Sequence, residues 1–113
     1  PYTAFMTKES TLTDDTFITS FTKAIYEAQQ WVYEAPAKDV AEAIAPYFED
    51  TDLALIEQVV ERYRAQKSYA ENPIIDEDEF QNLLDVMSEA GTLDHSVTYS
   101  DLVNRSLADA VVE

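Results

Sequence analysis

The sequence predicts a mostly α-helical chain of about five helices with one short strand at its N-terminus. Three observations carry that prediction. Apolar residues recur three and four positions apart through most of the 113 residues, the spacing that gathers them on one side of an α-helix. Carboxylate and hydroxyl residues stand directly ahead of these runs, at Thr13-Asp14-Asp15, Asp50-Thr51-Asp52, Asp76-Glu77-Asp78-Glu79 and Thr98, where they can accept from the first, unpaired amides of a helix. Glycine occurs once and proline four times, so the breaks between helices are few and well marked.

Residues 2–6, Tyr-Thr-Ala-Phe-Met, are rich in β-favouring types and read as a lone strand, with no second strand evident to pair with it. The longest helical pattern covers residues 13–35. Its apolar stripe is Phe17, Phe21, Ala24, Ile25, Ala28, Trp31 and Val32, expected to face inward. Thr13 is placed as the cap, with Leu12 and Phe17 positioned as a hydrophobic staple. Pro36 ends the helix, because it has no amide proton and disfavours the α conformation at Ala35.

A second helix is expected over residues 38–45, with Val40, Ala41, Ile44 and Ala45 inward and Pro46 ending it. A third runs over residues 53–67, with Leu53, Ile56, Val59, Val60 and Tyr63 on one face. Arg62, Arg64 and Lys67 fall in its last turns, where cations complement the negative end of the helix dipole. Residues 68–75 read as extended, as Pro73 requires. The acids at 76–79 then form a capping box into a helix over residues 80–90, with Phe80, Leu83, Leu84 and Met87 inward. Gly91 sits where a helix C′ residue turns left-handed. Thr98, with Asp101 as its partner, caps a last helix over residues 99–111 that turns Leu102, Val103, Leu107 and Val111 inward.

The length accommodates one domain or part of one, and no internal repeat is visible. A formal charge of −16, from 23 acids against 7 bases, would repel nucleic acid and anionic membrane surfaces, so neither is an expected partner. Residues 1–50 carry nine acids and three bases, and residues 51–113 fourteen and four, so the charge is spread rather than gathered into a tail. Absence of cysteine removes disulfides, thiol catalysis and thiolate zinc sites, but it fits either side of a membrane. No run approaches the ~20 apolar residues of a membrane span. The chain opens at Pro1 in the strand-like segment rather than at Met, and is expected to be a piece of a longer protein.

Few groups here can do chemistry. His95 is the single histidine, and no cysteine exists to join it in a transition-metal site. One glycine cannot build a phosphate-cradling loop or a dinucleotide fingerprint, and no nucleophile elbow occurs. Residues 75–80 imitate the exit of a calcium-binding helix-loop-helix. Counting back from Glu79 as position twelve, however, puts Ser68, Ala70 and Pro73 where two carboxylates and the obligatory glycine belong. Asp14-Asp15 and Asp50/Asp52 are more simply helix caps than acid–base pairs. Trp31, Tyr26, Tyr33, Tyr47 and Tyr63 have the polar-handled rings that suit a ligand site, yet at helical spacing they read as core or interface. No catalytic or metal residue and no cofactor is assigned.

Taken in order, Phe21-x-x-Ala24-Ile25-x-x-Ala28-Gln29-x-Trp31, Ile44-Ala45-Pro46-Tyr47-Phe48 and Arg62-Tyr63 are followed by Asn72-Pro73-Ile74, then Phe80-x-x-Leu83-x-x-Val86-Met87-x-x-Ala90-Gly91 and Tyr99-x-Asp101-Leu102-Val103. That order resembles the C-terminal segment of the substrate-binding proteins of ABC importers of the nitrate/sulfonate/taurine type, a superfamily that includes binding proteins for thiamine-pyrimidine precursors. The resemblance covers nearly the whole chain and lies in order and spacing, since each piece alone is a helix-packing pattern. It implies a fragment of a two-lobed α/β, periplasmic-binding-protein-like receptor that closes about a hinge outside the cytoplasmic membrane, tethered or free. In such a receptor residues 2–6 would be the strand re-entering the first lobe, and the helices would cover that lobe. The residues lining the family's ligand cleft come mostly from chain before this segment, so no ligand-binding residue is carried over.

The resulting expectation is a non-catalytic C-terminal part of an extracytoplasmic solute-binding protein. Its partners would be the missing N-terminal part of the same protein, an ABC permease and a small-molecule solute. Helices built to cover an absent sheet would leave apolar area exposed, so the isolated segment is expected to self-associate as a homo-oligomer or to rearrange its first residues. A rival from another class is a free-standing acidic helical module that binds a protein partner through the stripe from Phe17 to Trp31. A calcium-responsive module is a third reading.

Overall fold

A computed structural model of the protein describes residues 3–112. Among these residues the regular structure is entirely helical, with six α-helices and two short 3-10 helices. The expected strand is not formed, because residues 3–7 carry no regular secondary structure; Tyr2 lies outside the described residues. A strand is held by the amides and carbonyls of a neighbour, and no described segment offers that ladder. The chain groups into two compact units, one comprising Pro1–Thr22 with Ile74–Glu113 and the other Lys23–Pro73.

Thr13 belongs to a 3-10 helix, Glu9–Thr13, and its hydroxyl donates to Ser10 O at 2.7 Å instead of capping the long helix. The cap falls one residue later. Asp14 Oδ1 accepts from Phe17 N at 3.1 Å, while Asp14 O accepts the first intrahelical bond, from Ile18 N, at 3.0 Å. Helix α1 accordingly spans Asp15–Glu34, and the Leu12–Phe17 staple is out of register with it. Its last turn closes with Ala35 N donating to Trp31 O, one residue before Pro36.

The expected inward stripe of α1 faces the wrong way over much of its length. Ile18 is buried, and Thr22, Ile25, Gln29, Val32 and Tyr33 are half-buried. Phe17, Phe21, Ala24, Ala28 and Trp31 are exposed, with 54% of Phe17 and 42% of Trp31 open to solvent. Both sets repeat at helical spacing about one position apart, and the inner one includes the polar Thr22 and Gln29, so hydrophobicity alone favours the outer face.

In the unit Lys23–Pro73, Pro36 leads into α2, Ala37–Ile44, and a 3-10 turn, Ala45–Tyr47, carries Pro46 in its first positions. Asp52 precedes α3, Leu53–Ala65. α2 packs on α3, and Val40, Ala41, Ile56 and Val60 are buried, each large aliphatic side chain stabilising by roughly 1.5–3 kcal/mol. The face assigned to α3 is only half inward, since Leu53, Val59 and Tyr63 remain exposed. α3 ends in a Schellman motif: Lys67 N donates to Arg64 O and Ser68 N to Tyr63 O. Lys67 takes the left-handed position at φ 53°.

In the unit Pro1–Thr22 with Ile74–Glu113, helix α4 spans Glu77–Glu89. Asp76 makes no side-chain cap; its carboxylate instead accepts from Arg105 Nη1 at 2.7 Å, and the carboxylates of Glu77, Asp78 and Glu79 fill the first turn, where they complement the helix dipole. Gly91 ends α4 as the spacing predicts, at φ 66°, with Gly91 N donating to Ser88 O and Thr92 N to Met87 O. The single helix expected over residues 99–111 is two, α5 at Tyr99–Leu102 and α6 at Ser106–Val112. Val103 is extended at φ −108°, ψ 115°, and Asn104 Oδ1 accepts from both Ser106 N and Ser106 Oγ. This local side-chain bond competes with helix continuation and restarts the turn. Thr98 precedes α5 but makes no side-chain cap; its hydroxyl instead donates to the Asp101 carboxylate. Phe80 is buried and meets Tyr99 edge to face at 5.6 Å, and the Tyr99 hydroxyl donates to Ile75 O.

Candidate functional site

A set of specific contacts lies within Lys23–Pro73, where the end of α1 grips the irregular segment after α3. Gln29 Nε2 donates to Asn72 O at 3.1 Å, Gln30 Nε2 to Glu71 O at 2.6 Å and the Tyr33 hydroxyl to Tyr69 O at 2.5 Å. Helical spacing puts 29, 30 and 33 on adjoining rows of one helix, so they can meet carbonyls of an antiparallel segment in turn. Tyr69 stacks edge to face with Tyr33 at 6.3 Å and at a tilt with Tyr63 at 5.4 Å. Arg64 completes the arrangement, its Nε donating to Val32 O at 2.6 Å and its Nη2 to Ala35 O at 2.7 Å.

Burial chiefly, with the neighbouring Tyr63 and Tyr33 adding to it and Arg64 opposing, pushes the Tyr69 hydroxyl pKa above its ordinary value. Gln29 Oε1 is buried with no protein partner. Its amide orientation is set by the bond from Nε2 to Asn72 O, because the reverse orientation would put two oxygens face to face. These groups can hold and orient main chain; they include no nucleophile or carboxylate poised for proton transfer.

Of the tyrosines and tryptophan singled out in the sequence, Tyr33 and Tyr63 meet around Tyr69, which sequence reasoning missed for want of any periodic signal in an irregular segment. Tyr47 is 83% exposed and Trp31 is on the outer side of α1. The basic trio divides: Arg64 serves α1 rather than its own helix end, Lys67 forms an exposed pair with Glu71 at 3.4 Å, and Arg62 is exposed. His95 lies exposed at a bend. Among the described residues no group of three or more His, Asp or Glu side chains could hold a metal ion, and no helix is long and apolar enough to cross a membrane.

A second feature belongs to the unit Pro1–Thr22 with Ile74–Glu113. Phe5 meets Phe21 edge to face at 5.2 Å, and Phe21 stacks on Phe17 at 6.2 Å, yet 74% of Phe5, 54% of Phe17 and 37% of Phe21 stay open to solvent. Met6 beside them is 93% exposed.

Comparison with known proteins finds the chain 45% identical over 113 residues to a Bacillus subtilis (strain 168) protein named "Putative binding protein YtlA". The match takes in 98% of this chain and 34% of that protein, so the chain spans about a third of the length of the curated relative it matches. No family model matches it, and no solved structure does.

Proposed function

We propose that this chain is the non-catalytic C-terminal part of an extracytoplasmic solute-binding protein that hands a small molecule to an ABC import permease. The observation that carries the reading is the 45% identity, sustained over 98% of the chain, to a protein named as a binding protein. The ordered resemblance to the nitrate/sulfonate/taurine-type receptors supports the finer part of it. Solute class, permease and an extracytoplasmic location belong to the whole protein. The test is a chimaera in which this chain replaces the matching third of YtlA, titrated with nitrate, taurine and an aminopyrimidine thiamine precursor. One of the three is expected to raise its melting temperature by several degrees, as a ligand held by the folded state alone must. A folded chimaera indifferent to all three overturns the reading.

The second reading, a free-standing interaction module, is favoured by the open Phe5, Phe17 and Phe21 cluster. It requires a gene that begins with a start codon immediately ahead of residue 1, and upstream coding sequence for an α/β lobe eliminates it.

A further inference from the structure

We infer that the Phe5, Met6, Phe17 and Phe21 face is the seat for polypeptide lying outside these 113 residues, in a chain of about YtlA's length. The inference rests on the part of the functional reading that makes this segment one portion of a longer protein. Apolar side chains scattered singly over a surface are ordinary, but a contiguous patch marks something that covers it. Here the three rings touch in a chain, from Phe5 to Phe21 to Phe17, and all three remain open on their other sides. Such a cluster gains from burial and loses nothing polar, because it consists of rings and a thioether. The unit that bears it keeps only Ile18, Phe80 and Ala108 buried among its described residues, a small interior for helices with this many apolar side chains. A second copy of the chain is a poorer occupant, since each copy brings a charge of −16 to the contact. In a chain of YtlA's length, of which this segment accounts for 34%, the remaining polypeptide is supplied in cis and needs no second copy.

The cysteine-free sequence gives a direct test. A Phe17→Cys substitution supplies a single thiol, whose modification rate is measured in the isolated chain and in the YtlA chimaera with any other cysteine replaced by serine. Each rate is normalised to that in denaturant. Protection of at least about tenfold in the chimaera relative to the isolated chain is expected. Equal rates in a folded chimaera overturn the inference, as does protection that appears only in the isolated chain as its concentration rises, which would identify a second copy as the occupant. If the chimaera fails to fold, the same substitution at the aligned position of intact YtlA is read against its denatured rate, and a fast-reacting thiol there overturns the inference. Protection without solute binding leaves the docking face standing and removes the transport reading; solute binding with an unprotected thiol does the reverse.

Discussion

Arg64 on α3 closes the end of α1 through Val32, donating from Nε to its carbonyl at 2.6 Å, and Nη2 reaches Ala35 O at 2.7 Å. Carbonyls in the last turn of a helix have no partner within it, and a planar guanidinium satisfies two at once. Arg64→Ala should cost about 1.5–3 kcal/mol, because the bonds are charge-assisted and half-buried carbonyls are left unpaired. Arg64→Lys should recover only part, since an ammonium cannot reproduce the fork. Urea unfolding of the three proteins measures both, and a loss below about 0.5 kcal/mol for Arg64→Ala would contradict the account.

The two Schellman motifs make a paired prediction. Lys67 and Gly91 occupy the same left-handed position, at φ 53° and 66°, but only glycine reaches it without a Cβ penalty of about 1 kcal/mol. Lys67→Gly should therefore stabilise the protein by about 0.5–1 kcal/mol despite losing the exposed pair with Glu71. Gly91→Ala should destabilise by about 1 kcal/mol, and wholly through the backbone, because an added Cβ meets nothing within 4 Å. Thermal melts that move both variants in the same direction would refute this.

These motifs also mark what was legible in the sequence. Stops written into a single residue were readable: Pro36 follows the end of α1 and Gly91 ends α4, whereas Asp52 stands ahead of α3 without the side-chain cap expected of it. Features decided by competition between neighbours were not. Thr13 and Asp14 are both good caps; Thr13 is taken up in the 3-10 helix Glu9–Thr13, and Asp14 accepts from the amide of Phe17. Asn104 interrupts a periodic run with a local bond that periodicity cannot register. Lys67 gives no warning of a left-handed backbone. The contact set around Tyr69 was invisible because it is made to main-chain carbonyls, and the family resemblance had likewise assigned it nothing. The stripe of α1 was misassigned between two adjoining faces, which only a knowledge of the packing partner could separate.

Tyr69 gives a pH dependence. Its pKa is raised in the folded protein, so as pH passes the ordinary value of 10.0 the unfolded chain releases this proton while the folded chain keeps it. Stability contributed below that value is then lost as pH climbs toward the folded pKa. The melting temperature of the native protein should fall more steeply above pH 10.0 than that of Tyr69→Phe, with parallel curves at neutral pH. Parallel curves throughout would remove the burial effect.

Salt should stabilise. The ion pairs of Lys23 with Glu27, Lys38 with Glu42, Lys67 with Glu71, and Arg105 with Asp76 and Asp109 are all exposed and are worth little individually. Repulsion among the remaining acids of a −16 chain is screened as the Debye length shortens. Raising NaCl from about 10 to about 500 mM should lift the melting temperature by roughly 3–8 °C. A fall measured by scanning calorimetry would mean that the pairs outweigh the repulsion.

The hold of Gln29, Gln30 and Tyr33 on residues 69–72 has one more consequence. All three bonds end on peptide oxygens, which every amino acid possesses. The clasp is therefore indifferent to the spelling of what it holds, and positions such as Ala70 and Glu71 can drift among relatives or be rewritten to carry a foreign epitope while the path of the chain is kept. The α1 side chains enjoy no such freedom, so variability and constancy should fall on opposite sides of the same three hydrogen bonds.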